Sequence, residues 1–142
     1  MKSLPTLIRL KQEQLDEKRL VLTRFETEAA NIKAMMENLS IEVACETEAA
    51  RGDAESSFGF GSYIASAKAR RGGFEARLAQ VNEKIAVAAD EVADAFREMK
   101  RFELAQSLAD QRAVAEAGRR EQATLDEVGM TAYRRARTPG QS

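Results

Sequence analysis

Apolar residues recur every seven positions along most of this chain, and that repeat commits it to long amphipathic helices that must pack against one another. One set of positions reads Ile8, Leu15, Leu22, Ala29, Met36, Val43, Ala50. The set three residues later reads Lys11, Lys18, Phe25, Ile32, Leu39, Glu46 and is apolar only in its middle. After a glycine-rich interval the same phase resumes as Leu78, Val81, Ile85, Ala88, Val92, Ala95, Met99 and Phe102. Alternating steps of three and four build the seam of a coiled coil, and Ala-rich layers let the helices approach closely. Past Phe102 the phase slips. Leu104 and Leu108 fall out of register, and a weaker stripe continues through Ala115, Gly118 and Leu125. Such a shift either separates two functional parts of a long helix or marks a frayed end.

Composition closes off the alternatives. The chain has 25 Ala and 17 Glu against 8 Gly and 2 Pro, so helix formers dominate and breakers are scarce. Aromatic residues are 6% and Trp is absent, too little bulk for a sandwich, a barrel or a compact core in 142 residues. The expected fold class is all-α, extended and thinly cored. With no His and a single Cys, the chain lacks an imidazole base, a Ser-His or Cys-His pair, an internal disulfide and a Cys- or His-based metal site. No enzyme activity and no cofactor are expected. The longest apolar run, Ile85 to Ala89, is far short of a membrane span, and the first residues make too short an apolar stretch for a signal peptide. A net charge of -1 offers no general attraction to nucleic acid, so a cytosolic protein without nucleic-acid binding or direct membrane insertion is expected.

The chain reads as one domain: a helix over about 4–51, a turn over about 52–61, a helix over about 62–137 bent at Gly72-Gly73, and a tail over 138–142. Ser3 is placed to cap the first helix, with Pro5 in its first turn, and Thr138-Pro139-Gly140 ends the last. Two hairpins remain open, because heptad phase is kept by Phe60, Ile64 and Ala67. A turn near residue 57 sets Cys45 against about residue 69, whereas a turn at Gly72-Gly73 sets it against about residue 100. The first break is longer and richer in turn residues, and it is favoured. It leaves about 25 residues of the second helix unpaired, an overhang of roughly 40 Å. An isolated helix carrying Leu125, Val128, Met130 and Tyr133 needs another surface.

Three regions are candidates for function. The stretch Arg119–Arg137 mixes a narrow apolar stripe with dense charge, and from Val128 onward it is basic with no acid. Cations also suit the end of a helix, so a solvated terminus accounts for the same pattern. Phe58, Phe60 and Tyr63 sit at the turn, either covering the end of the core or anchoring a partner. Arg70-Arg71 and Arg119-Arg120 read as solvated helix surface. Cys45 lies beside the seam with nothing to activate it.

The ends carry a resemblance. Glu121-Gln122, then Leu125-Asp126-Glu127 and Arg134-Arg135, resemble the terminal signature of the FliJ family, the coiled-coil component of bacterial flagellar type III export. Leu4-Pro5-Thr6-Leu7-Ile8-Arg9-Leu10-Lys11 followed by Leu15-Asp16-Glu17-Lys18-Arg19 resembles the amino end of that family. The resemblance implies a long antiparallel two-helix coiled coil similar to the central stalk of rotary ATPases. It also implies insertion into a hexameric flagellar export ATPase, contact with the cytoplasmic domain of the membrane export-gate protein, and escort of export chaperones. A cytoplasmic protein associated peripherally with the inner-membrane flagellar basal body is then expected. The residues implied for the ATPase are Gln122, Leu125, Asp126, Glu127, Tyr133, Arg134 and Arg135. Those implied for the export gate are Phe60, Tyr63, Ala67, Arg70 and Phe74, although Arg70 stands where a small residue is expected. The equivalent stalk of a virulence secretion system, or a coiled-coil chaperone or scaffold without an ATPase partner, would share this pattern.

Overall fold

The computed structural model describes residues 3–52 and 54–137, with side chains other than those of Ala54 and Ser56. Helix α1 spans Leu4–Gly52, a single helical turn α2 spans Ala54–Ser57, and α3 spans Phe60–Arg137. There is no strand among the described residues. At about 1.5 Å per residue, α1 is roughly 74 Å long and α3 roughly 117 Å. Two long helices packed side by side make this an all-α helical hairpin.

Local chemistry sets the ends. The Ser3 carbonyl accepts the Leu7 N–H at 3.1 Å. The Ser3 and Thr6 hydroxyls meet at 2.8 Å, and Pro5 sits where a backbone N–H has no intrahelical acceptor. Between α2 and α3, Gly59 adopts a left-handed φ of 81°, which glycine accepts at little steric cost. The Phe58 N–H donates to the Glu55 carbonyl at 3.2 Å, and the Tyr63 N–H donates to the Gly59 carbonyl at 3.0 Å. The expected turn over 52–61 thus contains the helical turn α2, and α3 begins at Phe60. Asp53 and the Thr138-Pro139-Gly140 stop lie outside the described residues.

The buried seam is Leu15, Ala29, Ile32 and Leu39 of α1 against Ala67, Val81, Ala88 and Met99 of α3. Ala29, Ile32 and Val81 form its centre, flanked by Phe25, Met36, Phe74, Leu78 and Ile85. All eight buried residues are heptad positions, and no polar or charged residue is buried among them. The two lysines on the second heptad set, Lys11 and Lys18, extend from the seam to acids on the opposite helix. Lys11 Nζ lies 2.9 Å from Glu98 and 5.6 Å from the centre of the Phe102 ring. Lys18 Nζ lies 3.1 Å from Glu91. The lysine stems cover apolar surface while their heads reach acids of the opposite helix, which reconciles them with a seam.

These contacts define the register. Lys11 reaches Glu98, Lys18 reaches Glu91 and Arg70 reaches Glu42, so the chain reverses around α2. Gly72 and Gly73 lie inside α3, where the helix continues without interruption. A Cβ on either glycine would meet nothing within 4 Å, so close packing does not demand glycine there. Neighbouring contacts hold this stretch: Phe74 packs on the core cluster, and Arg71 bonds Ser40 of α1 at 3.2 Å and Glu75 at 3.4 Å.

Because α1 begins beside the stretch near Phe102, the rest of α3 has nothing to pack on. Every residue from 107 to 137 is exposed. That is roughly 46 Å of single helix, somewhat longer than the expected overhang.

Candidate functional site

The overhang carries all seven residues implied for ATPase contact, and each is exposed. Leu125 is 58% exposed and Tyr133 60% exposed, large apolar surfaces left in water. Leu125, Asp126, Tyr133, Arg134 and Arg135 border one open groove along the helix, with Gly129 at its floor and Met130 at its side. Gly129 leaves this notch because a Cβ there would enter open space. Gln122 Nε2 donates to Asp126 Oδ1 at 3.0 Å one helical turn on. The Arg137 guanidinium stands 5.5 Å from the Tyr133 ring centre. Glu127 lies off this groove and borders a second one with Thr124, Val128 and Thr131. The last turn holds Arg134, Arg135 and Arg137, where the carbonyl end of the helix favours cations. Nothing here resembles an enclosed catalytic pocket; it is a charged, faceted rod.

The tip-proximal residues divide. Ala67 is buried in the seam beside Leu39, Val43 and Ile64, and Phe74 packs against the core cluster. Both follow the seam phase, so both turn towards α1. Phe60 and Tyr63 are half-buried and stacked on one another, with ring centres 6.4 Å apart. Phe58 is 92% exposed at the apex. Phe60 and Tyr63 cover the end of the seam, while Phe58 covers nothing.

Tyr63 and Arg70 converge on a residue that local sequence reading overlooks. The Tyr63 hydroxyl donates to Glu42 Oε2 at 2.9 Å, and Arg70 Nη2 donates to the same oxygen at 2.5 Å. The Arg70 hydrogen bond, followed by the one from Tyr63, holds the Glu42 carboxyl below its ordinary range. Loss of solvation, followed by the bond to Glu42, raises the Tyr63 phenol, and the Arg70 guanidinium is raised chiefly by its bond to Glu42. This network joins α1 to α3 near the tip. Its members are 21 and 28 residues apart, so only the hairpin register could have revealed it.

With the rod, its overhang and its tip in view, comparison with known families is decisive. A family model described as "Flagellar FliJ protein" matches residues 1–138. The chain belongs to the FliJ family. This FliJ-family chain is therefore a flagellar export-associated protein, and the family is one of non-enzymatic export components. Comparison with curated proteins and with solved structures gave no match. No helix among the described residues is long and apolar enough to cross a membrane.

Proposed function

We propose that this FliJ-family chain is the stalk of the flagellar export apparatus, inserting its helical overhang into the hexameric export ATPase and stimulating hydrolysis. One observation carries this reading: an exposed single helix projects from the hairpin and presents Leu125 beside two acids and Tyr133 among arginines. A ring lumen would supply the surface such a helix lacks. Leu125 and Tyr133 pack against the wall, while Gln122, Asp126, Glu127, Arg134 and Arg135 set orientation through reversible charged contacts. A narrow stripe between charges allows a stalk to turn or rock without seating permanently.

The export-gate contact belongs at the tip, on Phe60, Tyr63 and Arg70. Ala67 and Phe74 support that surface from the seam. Export chaperones are further partners, and the protein works on the cytoplasmic side, peripherally bound at the basal body.

The test is the hydrolysis rate of the cognate export ATPase with the full chain, with a version truncated after Gly118, and with residues 119–137 scrambled at preserved helicity. Stimulation by the full chain alone is expected. Equal stimulation by all three would remove the site assignment, and neither stimulation nor binding by the full chain would replace the stalk with a chaperone or scaffold.

A further inference from the structure

The phase slip at Phe102 turns the apolar face of the overhang away from α1. Seam residues Met99 and Phe102 point at α1, whereas Leu104, still opposite the first turn of α1, is 61% exposed, and Leu108 continues its face beyond the end of α1. A shift of two positions rotates the stripe by about 200°, since each residue advances about 100° around the helix. From there the spacing of three and four persists as Leu104, Leu108, Gln111, Ala115, Gly118, Gln122, Leu125 and Gly129. A regular heptad stripe in water, two of its positions glycine with open space around them, accommodates a close helix.

We propose that this stripe pairs antiparallel with the same stripe of a second copy of the chain. The stripe is self-complementary in one register. Leu108 meets Leu125 of the partner subunit, Gln111 meets Gln122 of the partner subunit, and Ala115 meets Gly118 of the partner subunit. Leu104 fills the space over Gly129 of the partner subunit. All of these fall together because the two-fold axis passes between Glu116 and Ala117. Helical side chains lean towards their own N-terminus, so Arg112 and Asp126 of the partner subunit lean towards each other, once on each side of the axis. Arg119 meets its symmetry mate, but Glu116 of its own helix holds it at 3.6 Å. The rotated face also removes the steric objection. The partner's last turns lie along the side of α3 opposite to α1. Pairing and ring insertion share Gln122, Leu125 and Asp126, so they exclude each other, and a paired chain keeps its stripe covered until a ring takes it.

Sedimentation equilibrium of the full chain, without ATPase, tests this independently of the stalk reading. The average mass should rise with concentration from 15.7 kDa towards twice that value. Leu108→Glu should raise the dissociation constant by more than about tenfold with helicity unchanged. In a Cys45→Ser background, a Gln111→Cys chain mixed with a Gln122→Cys chain should form the mixed disulfide. Two Gln111→Cys copies hold their thiols roughly 16 Å apart in this register and should not link. A 15.7 kDa species persisting at several hundred micromolar would overturn the proposal. A dimer that ignores Leu108→Glu, or that links all three thiol pairings equally, would overturn it as well.

Discussion

Truncating Ile32 to Ala measures how much of this rod is held by its thin seam. Ile32 is 1% exposed, and it packs against Ala29 and Val81 at the centre of the only core cluster among the described residues. Ile→Ala in a core costs about 2–5 kcal/mol, depending on how far the site collapses. Here the seam is only two helices thick, and flexible Met36 stands beside the gap. Collapse is therefore easy, and about 2–3 kcal/mol is expected. The overhang buries nothing, so the cooperative unit is the paired hairpin of about a hundred residues. For that size each kcal/mol moves Tm by about 4 °C, which gives a drop of about 10 °C. The control is Val114→Ala, at a residue 73% exposed on the overhang. It should change stability by less than about 0.5 kcal/mol and Tm by less than about 2 °C. Both are read by thermal unfolding at 222 nm, dilute enough to keep the chain monomeric. A shift for Ile32→Ala no larger than that for Val114→Ala would refute a stability seated in the seam.

Because the Glu42 carboxyl is held low, the folded chain binds that proton more weakly than the unfolded chain does. The resulting stability is present above 4.5 and is lost as pH falls through the lower folded value. Tm should therefore fall more steeply for the wild type than for Glu42→Gln between about pH 5 and pH 3, and parallel profiles would deny the network a role. Gly72→Ala and Gly73→Ala should each stabilise by about 0.5–1 kcal/mol, since helix propensity improves and the new Cβ meets nothing within 4 Å. A lower Tm for either would show that the chain needs glycine there. Phe58→Ser should leave Tm within about 2 °C, because the ring contributes nothing to the seam, and a larger loss would contradict its exposure at the apex.

Much of the fold was legible because a heptad records burial directly. Leu15, Ala29, Ile32, Leu39, Val81, Ala88 and Met99 are buried, and each is a position the repeat selects. The repeat could not choose between two hairpins, since both keep phase. That choice came from pairs such as Lys18 with Glu91, whose members lie 73 residues apart. The bend expected at Gly72-Gly73 rests on local propensity, and α3 is one helix through both glycines. Tertiary contacts at Phe74 and Arg71 outweigh the cost of two glycines, so the helix passes through. The overhang was legible from register arithmetic, but every residue on it is exposed, so no contact within the chain marks one face over another. Glu42 was invisible because its meaning depends on what stands opposite.

The reversal at Gly59 also bears on how the rod assembles. Contacts nearest the apex, such as Tyr63 with Glu42, close short loops, whereas Lys11 and Glu98 close one of 87 residues. Closing a long loop outright costs more entropy than extending a pair already formed, so the helices join from the apex outward. On a ribosome the first 52 residues emerge before any of their partners exist. The segment beginning at Leu4 stays open longest, until its counterpart near Phe102 has been synthesised. Slow synthesis past the apex therefore lengthens the exposure of one bare helix, and the end from which the overhang projects is the last to be sealed.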